Sequence, residues 1–238
     1  MIIAFLDDLE VFADAFGFIV DERRLILEKT WEHLQLAVAA MVVATLIALP
    51  LGTLLGHLHR GSFVAINLSN VLRALPSLAV IALGLAFLGV GFTNVTVALV
   101  VLAVPPILTN AYVAVDSVET DVVEAARGMG MTGWQIARKV ELPLALPLIF
   151  AGIRTSAVFV VATATIAAVA GGGGLGDIIV NQAAYDLEGV VGAAICVSAL
   201  ALAADFGLGV LQRVLTPAGL RRTGSALEPD VITGVTRR

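Results

Sequence analysis

Residues 74–115 read ALPSLAVIALGLAFLGVGFTNVTVALVVLAVPPILTNAYVAV, 42 consecutive positions without an Asp, Glu, Lys or Arg. A helix crossing ~30 Å of hydrocarbon needs about 20 apolar residues at ~1.5 Å each. The run is long enough for two crossings, and it breaks at Gly89-Val90-Gly91-Phe92-Thr93-Asn94, where glycine offers a tight turn. Two helices joined by a hairpin follow. The strands of a membrane barrel alternate apolar and polar positions, which Leu99-Val100-Val101-Leu102-Ala103-Val104 does not.

Outward from this segment, uncharged stretches near 34–56, 155–174 and 189–211, the last interrupted only by Asp205, join 74–93 and 94–115 to give five spans. The expected fold class is all-α, a polytopic membrane protein with about five transmembrane helices. Composition agrees: 59% of the 238 residues are hydrophobic and 14% charged, against ~25% charged in an ordinary soluble domain. That balance argues against a soluble enzyme. A net charge of −5 supplies no basic stripe, so nucleic acid is set aside as a partner, and membrane lipid is the partner implied. Cys196 is the single cysteine, which excludes an internal disulfide and any CxxC redox or zinc pair.

Five spans put the termini on opposite sides. With the N-terminus outside, eleven basic residues fall in inner loops and helix ends, and only Arg23, Arg24 and Lys29 lie outside. Arg73 and Arg154 each precede an uncharged span and are expected at the inner interface, snorkelling. No Arg or Lys precedes Arg23, so the positive region of a cleavable signal peptide is missing. Residues 1–30 form an external or interfacial segment in this reading, with Ile2, Phe5, Leu9, Phe12 and Phe16 at helical spacing. The membrane-spanning domain then covers 31–215, and 216–238 is a polar cytoplasmic tail expected to be disordered.

The one long inner loop, 116–143, carries EAARGMGMTGWQIARKVELP from Glu124 to Pro143. Its helix formers describe two short helices separated by Gly128, Gly130 and Gly133, since glycine lets one helix end and another begin at a sharp angle. The loop resembles the EAA loop of bacterial ABC-importer permeases at Glu124, Ala125, Ala126, Gly130, Val140, Leu142 and Pro143, with Val140 where isoleucine is commoner. The resemblance implies docking on a separate cytoplasmic ATPase. Trp134 reads as an aromatic anchor for that contact or as an interfacial membrane anchor. The chain itself has no phosphate loop: its two lysines, Lys29 and Lys139, follow Glu28 and Arg138 rather than a GxxxxG.

A resemblance to the osmoprotectant permeases covers residues 31–215. It rests on Arg73-Ala74-Leu75-Pro76-Ser77-Leu78, Pro105-Pro106-Ile107-Leu108-Thr109-Asn110, Glu124 to Thr155, Thr163-Ala164-Thr165 and Gly171 to Gly176. It implies the type I ABC-importer permease fold, import of glycine betaine, choline, carnitine or proline, and localisation in the bacterial cytoplasmic membrane. Implied partners are ATPase subunits holding ATP and Mg, a second permease, identical or paralogous, and an extracytoplasmic substrate-binding protein. No cofactor is implied in this chain.

Polar or helix-breaking residues at membrane depth are the candidate pathway: Pro76, Ser77, Pro105, Pro106, Asn110, Thr163 and Thr165. The prolines free backbone carbonyls or make packing kinks, and the threonines face a path or bond their own helix. Gly171, Gly172, Gly173 and Gly174 form a candidate external gate or a flexible turn. Asp205 reads as part of a proton relay, or as facing a polar interior or the inner interface. His33, His57 and His59 show no metal-ligand spacing and no accompanying carboxylate, so no metal site and no catalytic residue are expected. Two rivals remain at this stage, a permease for another small solute and an ion-coupled secondary carrier. An intramembrane enzyme is a third class, for which no nucleophile or metalloprotease motif exists.

The basic-residue split predicts a labelling pattern. On a Cys196→Ser background, a membrane-impermeant thiol reagent modifies Gly91→Cys and spares Gly224→Cys in intact cells. The reverse pattern contradicts the orientation.

Overall fold

Inside lipid every backbone N–H and C=O must find its partner within the protein, and helices do this segment by segment. The computed structural model describes residues 2–216, and among them there is no strand. In chain order the helices are α1 (Ile2–Asp21), α2 (Arg23–His57), α3 (Ser69–Ala74), α4 (Ser77–Leu88), α5 (Phe92–Asp116), α6 (Thr120–Gly128), α7 (Gly133–Ile136), α8 (Leu142–Thr163), α9 (Gly176–Val180) and α10 (Gln182–Leu215). Wider turns at 137–141 join α7 to α8, and a tighter 3₁₀ segment extends α8 to Ala170, so 133–170 is one helical run. Residues 217–238, which hold most of the expected tail, lie outside the described residues.

Four runs are long and apolar enough to cross a membrane: 23–57, 92–116, 133–170 and 182–215. The segments 65–74 and 77–88 meet at 88°, and counting them as one broken span gives five. The straight second span expected at 74–93 is therefore corrected. Pro76 disfavours helical geometry at Leu75, and both residues are extended, with ψ of 124° and 128°. The remaining α4 is about 18 Å long, short of a full crossing by itself. The hairpin after it forms where expected, with Gly89 and Gly91 at φ of 72° and 124° and the Gly91 N–H on the Ala170 carbonyl.

The core is built on α2 and α5. Ala40, Ala44, Ala48, Gly52 and Gly56 recur every fourth residue on α2, and all are buried. Period four keeps them in one ridge, and small side chains let the α5 backbone approach closely. A Cβ on Gly52 would stand 2.7 Å from the Ala111 Cβ and 2.8 Å from the Leu108 carbonyl oxygen, and one on Gly56 would stand 2.8 Å from the Tyr112 oxygen. On its other side α5 receives α8: Ser156 donates to the Ala103 carbonyl at 2.7 Å, and Gly152 lies against Asn110 and the Pro106 carbonyl. His33, fully buried, donates from Nε2 to the Val161 carbonyl (2.9 Å) and ties α2 to α8.

Helix α1 forms over nearly the expected range but packs with another face. Phe12 and Phe16 are exposed, whereas Ala15 is buried and Phe18 and Ile19 lie on α10 at Gly189 and Gly192. The two glycines of α10 leave the room into which Phe18 and Ile19 pack. Phe18 and Tyr185 add an edge-to-face pair with centroids 6.3 Å apart.

Gly52→Val drives α2 off α5 and should lower stability by about 1–3 kcal/mol, read as a lower melting temperature of the detergent-solubilised protein. Gly207→Val, with nothing within 4 Å of its new Cβ, serves as the unaffected control.

Candidate functional site

The segment 120–136 folds into a corner at one end of the bundle. Helix α6 ends at Gly128, and Gly130 turns the chain at φ 81°, a value side-chain-bearing residues rarely adopt. Thr132 then starts α7 with a reciprocal cap: its hydroxyl accepts the Gln135 N–H (3.4 Å), and the Gln135 side chain accepts the Thr132 N–H (2.9 Å). Val123, Ala126 and Ile136 form the corner's own core, with Val140 packed against it. Ala126 is thus occupied in holding α6 onto α7. Glu124, Ala125, Met129 and Trp134 face outward, the last two 77% and 74% exposed.

The two short helices expected of the loop are present, but the second is continuous with the fourth span. Leu142 and Pro143 open α8 directly, Leu142 packing beside Ala145 and Ile149. The corner is also fastened to the end of α2. His57 donates from Nδ1 to Glu141 Oε2 at 2.6 Å, and Glu141 is only 2% exposed. His59 Nδ1 lies 2.9 Å from Asp116 Oδ1. The expectation that no carboxylate accompanies these histidines is corrected: the acids come from positions 57 and 84 residues distant, beyond any spacing rule. An apolar cavity of about 460 Å³ between Leu54, His57, Trp134 and Leu142 flanks this joint.

At the opposite end Gly171, Gly173 and Gly174 adopt φ of 68°, 80° and 86°. The turn is clamped. Lys29 donates to Glu32 (2.9 Å) and to Asp177 (2.8 Å), and Glu32 accepts the Gly174 N–H at 2.9 Å. A side chain on Gly172 would meet Val95 and Ala167.

The candidate pathway residues are spread over the break before α4, α5, α8 and the 3₁₀ segment that follows it. Pro105, Pro106 and Thr163 are buried within the subunit, and Pro105 and Pro106 offer carbonyls to Ser69 (3.4 Å) and Asn110 (2.8 Å). Thr165 donates to the Ala162 carbonyl of its own helix. Pro76 and Ser77 stand at the break before α4. Arg154 lies within α8, and its guanidinium forks onto Asp205 of α10 at 2.9 and 2.7 Å. Among the described residues no three His, Cys, Asp or Glu side chains come together as a metal site.

Residues 48–217 match the family described as the inner membrane component of binding-protein-dependent transport systems. The chain is 42% identical over 197 residues to the glycine betaine/carnitine/choline transport system permease protein OpuCB of Bacillus subtilis, covering 82% of this chain and 91% of that one. It is 35% identical over 214 residues to the osmoprotectant import permease protein OsmW of Salmonella typhimurium, covering 87% of this chain and all of the relative. Inward-facing MetNI methionine ABC transporter structures share the fold, one with a TM-score of 0.72 at 24% identity over 83% of this chain and 99% of that one.

The buried Glu141 carboxylate makes the α2 joint testable. His57→Leu leaves it without its partner and should cost about 1–3 kcal/mol, seen as a lower melting temperature of the purified protein. His57→Leu/Glu141→Leu recovers most of that loss, because both polar groups then leave together. Additive losses contradict the pairing.

Proposed function

Because the chain belongs to the inner membrane components of binding-protein-dependent transport systems, we propose that it forms half of the membrane path of an ATP-driven importer for small compatible solutes such as glycine betaine, choline, carnitine or proline. The observation that carries this reading is mechanical. A single helical run from Gly133 to Ala170 has the exposed corner at one end and the clamped glycine turn at the other. At ~1.5 Å per residue it reaches across the bilayer. A push on the corner therefore arrives at the turn without crossing a loop.

In this reading Glu124, Ala125, Met129 and Trp134 dock on a cytoplasmic ATPase, which binds ATP and Mg and supplies the energy. Ala126, Val140 and Ile136 keep the corner stiff enough to transmit the ATPase's motion. Gly171–Gly174 meet the extracytoplasmic binding protein's side, with the Lys29, Glu32 and Asp177 clamp as the part that yields when the path opens outward. The N-terminus is outside and the described end of α10 inside. A second permease, identical or paralogous, closes the path, since transport sites lie between two repeats and this chain supplies one. The ion-coupled carrier, for which Asp205 and Glu188 are the candidate coupling acids, is the weaker reading, because Asp205 is already engaged by Arg154.

Gly130→Pro removes the φ 81° turn and misaims α7. Reconstituted with its ATPase and binding protein, this variant should lose most solute-stimulated ATP hydrolysis and uptake while reaching the membrane at the wild-type level. Glu124→Ala, on the exposed face, should lower both in part. Wild-type coupling in Gly130→Pro overturns the role of the corner.

A further inference from the structure

Arg154 and Asp205 pair between two of the spanning runs. Arg154 lies sixteen residues before Ala170 and Asp205 ten residues before the end of α10, about 24 Å and 15 Å along the two runs. They are not sealed between the helices. Their side chains are 35% and 39% exposed and open onto a cavity of about 460 Å³, lined further by Leu202, Phe206, Gly209, Val210, Gln212 and Arg213. The Phe206 ring is 73% exposed, and Gly209 leaves room against the guanidinium, which a Cβ there would touch at 3.5 Å. Gln212 accepts from Arg154 Nη1 at 3.4 Å.

A different face of α10, with Ala204 and Leu208, lines an apolar groove against α2 that suits lipid tails. The ion pair lies on the other face. Charged side chains in a membrane are tolerated where they meet water or protein and are costly against hydrocarbon. The half-open Arg–Asp pair and the exposed aromatic ring therefore stand on a face that the rest of the subunit leaves uncovered.

We propose that this cavity is a passing site for a small zwitterion: the Arg154 fork takes its carboxylate, while the Asp205 carboxylate and the Phe206 ring take its ammonium group. The inference rests on the reading of the chain as a solute path. Each half uses established recognition chemistry. A planar guanidinium binds a carboxylate through two parallel N–H groups, and a substituted ammonium is held by an acid and an aromatic face. The volume is in the range of small-molecule pockets, roughly 300–1,000 Å³. The site exchanges one pairing for another. Empty, Arg154 and Asp205 neutralise each other; occupied, each finds its opposite on the solute, so neither of the two is left unpaired.

The test uses the complete importer, permease with ATPase and binding protein, in liposomes loaded with ATP, and radiolabelled glycine betaine at saturating concentration. Arg154→Lys keeps the charge and loses the fork, and should cut uptake about tenfold. Phe206→Leu leaves the ion pair untouched and should cut it about fivefold. The exchange Arg154→Asp/Asp205→Arg keeps a helix-to-helix pair but moves the acid away from Phe206, so assembly and solute-independent ATP hydrolysis persist while uptake stays low. Recovery of uptake in the exchanged protein, or normal uptake in Phe206→Leu, means a structural pair and overturns the site. If the wild-type importer carries none of glycine betaine, carnitine, choline or proline, the proposed solute class falls and this inference with it. If the wild type carries glycine betaine and the variants carry it equally, only this inference falls.

Discussion

The close approach of α2 to α5 is the contact on which the rest of the structure is hung. In lipid no hydrophobic force drives helices together, so association depends on van der Waals contact, interhelical hydrogen bonds and backbones near enough to use both. The ridge Ala40, Ala44, Ala48, Gly52, Gly56 provides that nearness. With α2 fixed against α5, its two ends become anchor points, Lys29 and Glu32 beside the glycine turn and His57 beside Glu141 at the corner. The fourth span is then held at both ends by the same helix and at its middle by α5, through Ser156 and Gly152. Its continuity from corner to turn is thus a consequence of packing as well as of sequence.

Much of this architecture was legible because membranes impose simple rules. The uncharged run 74–115 had to contain two helices, and the glycines at 89 and 91 had to make the turn. The EAA-type spacing placed a corner between Glu124 and Pro143, and a corner is there. What the sequence concealed lies in pairings between distant positions. The position of Arg154 before an uncharged stretch carries no sign of its partner, Asp205, which lies 51 residues later. His57 looked unaccompanied for the same reason.

The candidate pathway was the least legible part. Proline and threonine mark departures from regular hydrogen bonding, and such departures are useful in packing as well as in transport. Pro105, Pro106 and Thr163 turned inward, where Asn110 and Ser69 use the carbonyls of the two prolines. Exposed polarity within the spans is carried by the Arg154–Asp205 pair as well as by Thr155 and Ser198. The family relationship fixes the kind of machine; the residue roles follow from where each group sits relative to the helical run 133–170 and to the face a second subunit would cover.

The most direct measurement of the central claim, that the exposed corner carries the ATPase, is site-specific photocrosslinking in cells expressing the whole importer. A benzoylphenylalanine at Trp134, 74% exposed on the corner, should crosslink to the ATPase subunit, and one at Phe87, 85% exposed near the opposite end, should not. An ATPase adduct from Phe87 with none from Trp134 would contradict the corner as the docking and transmitting element.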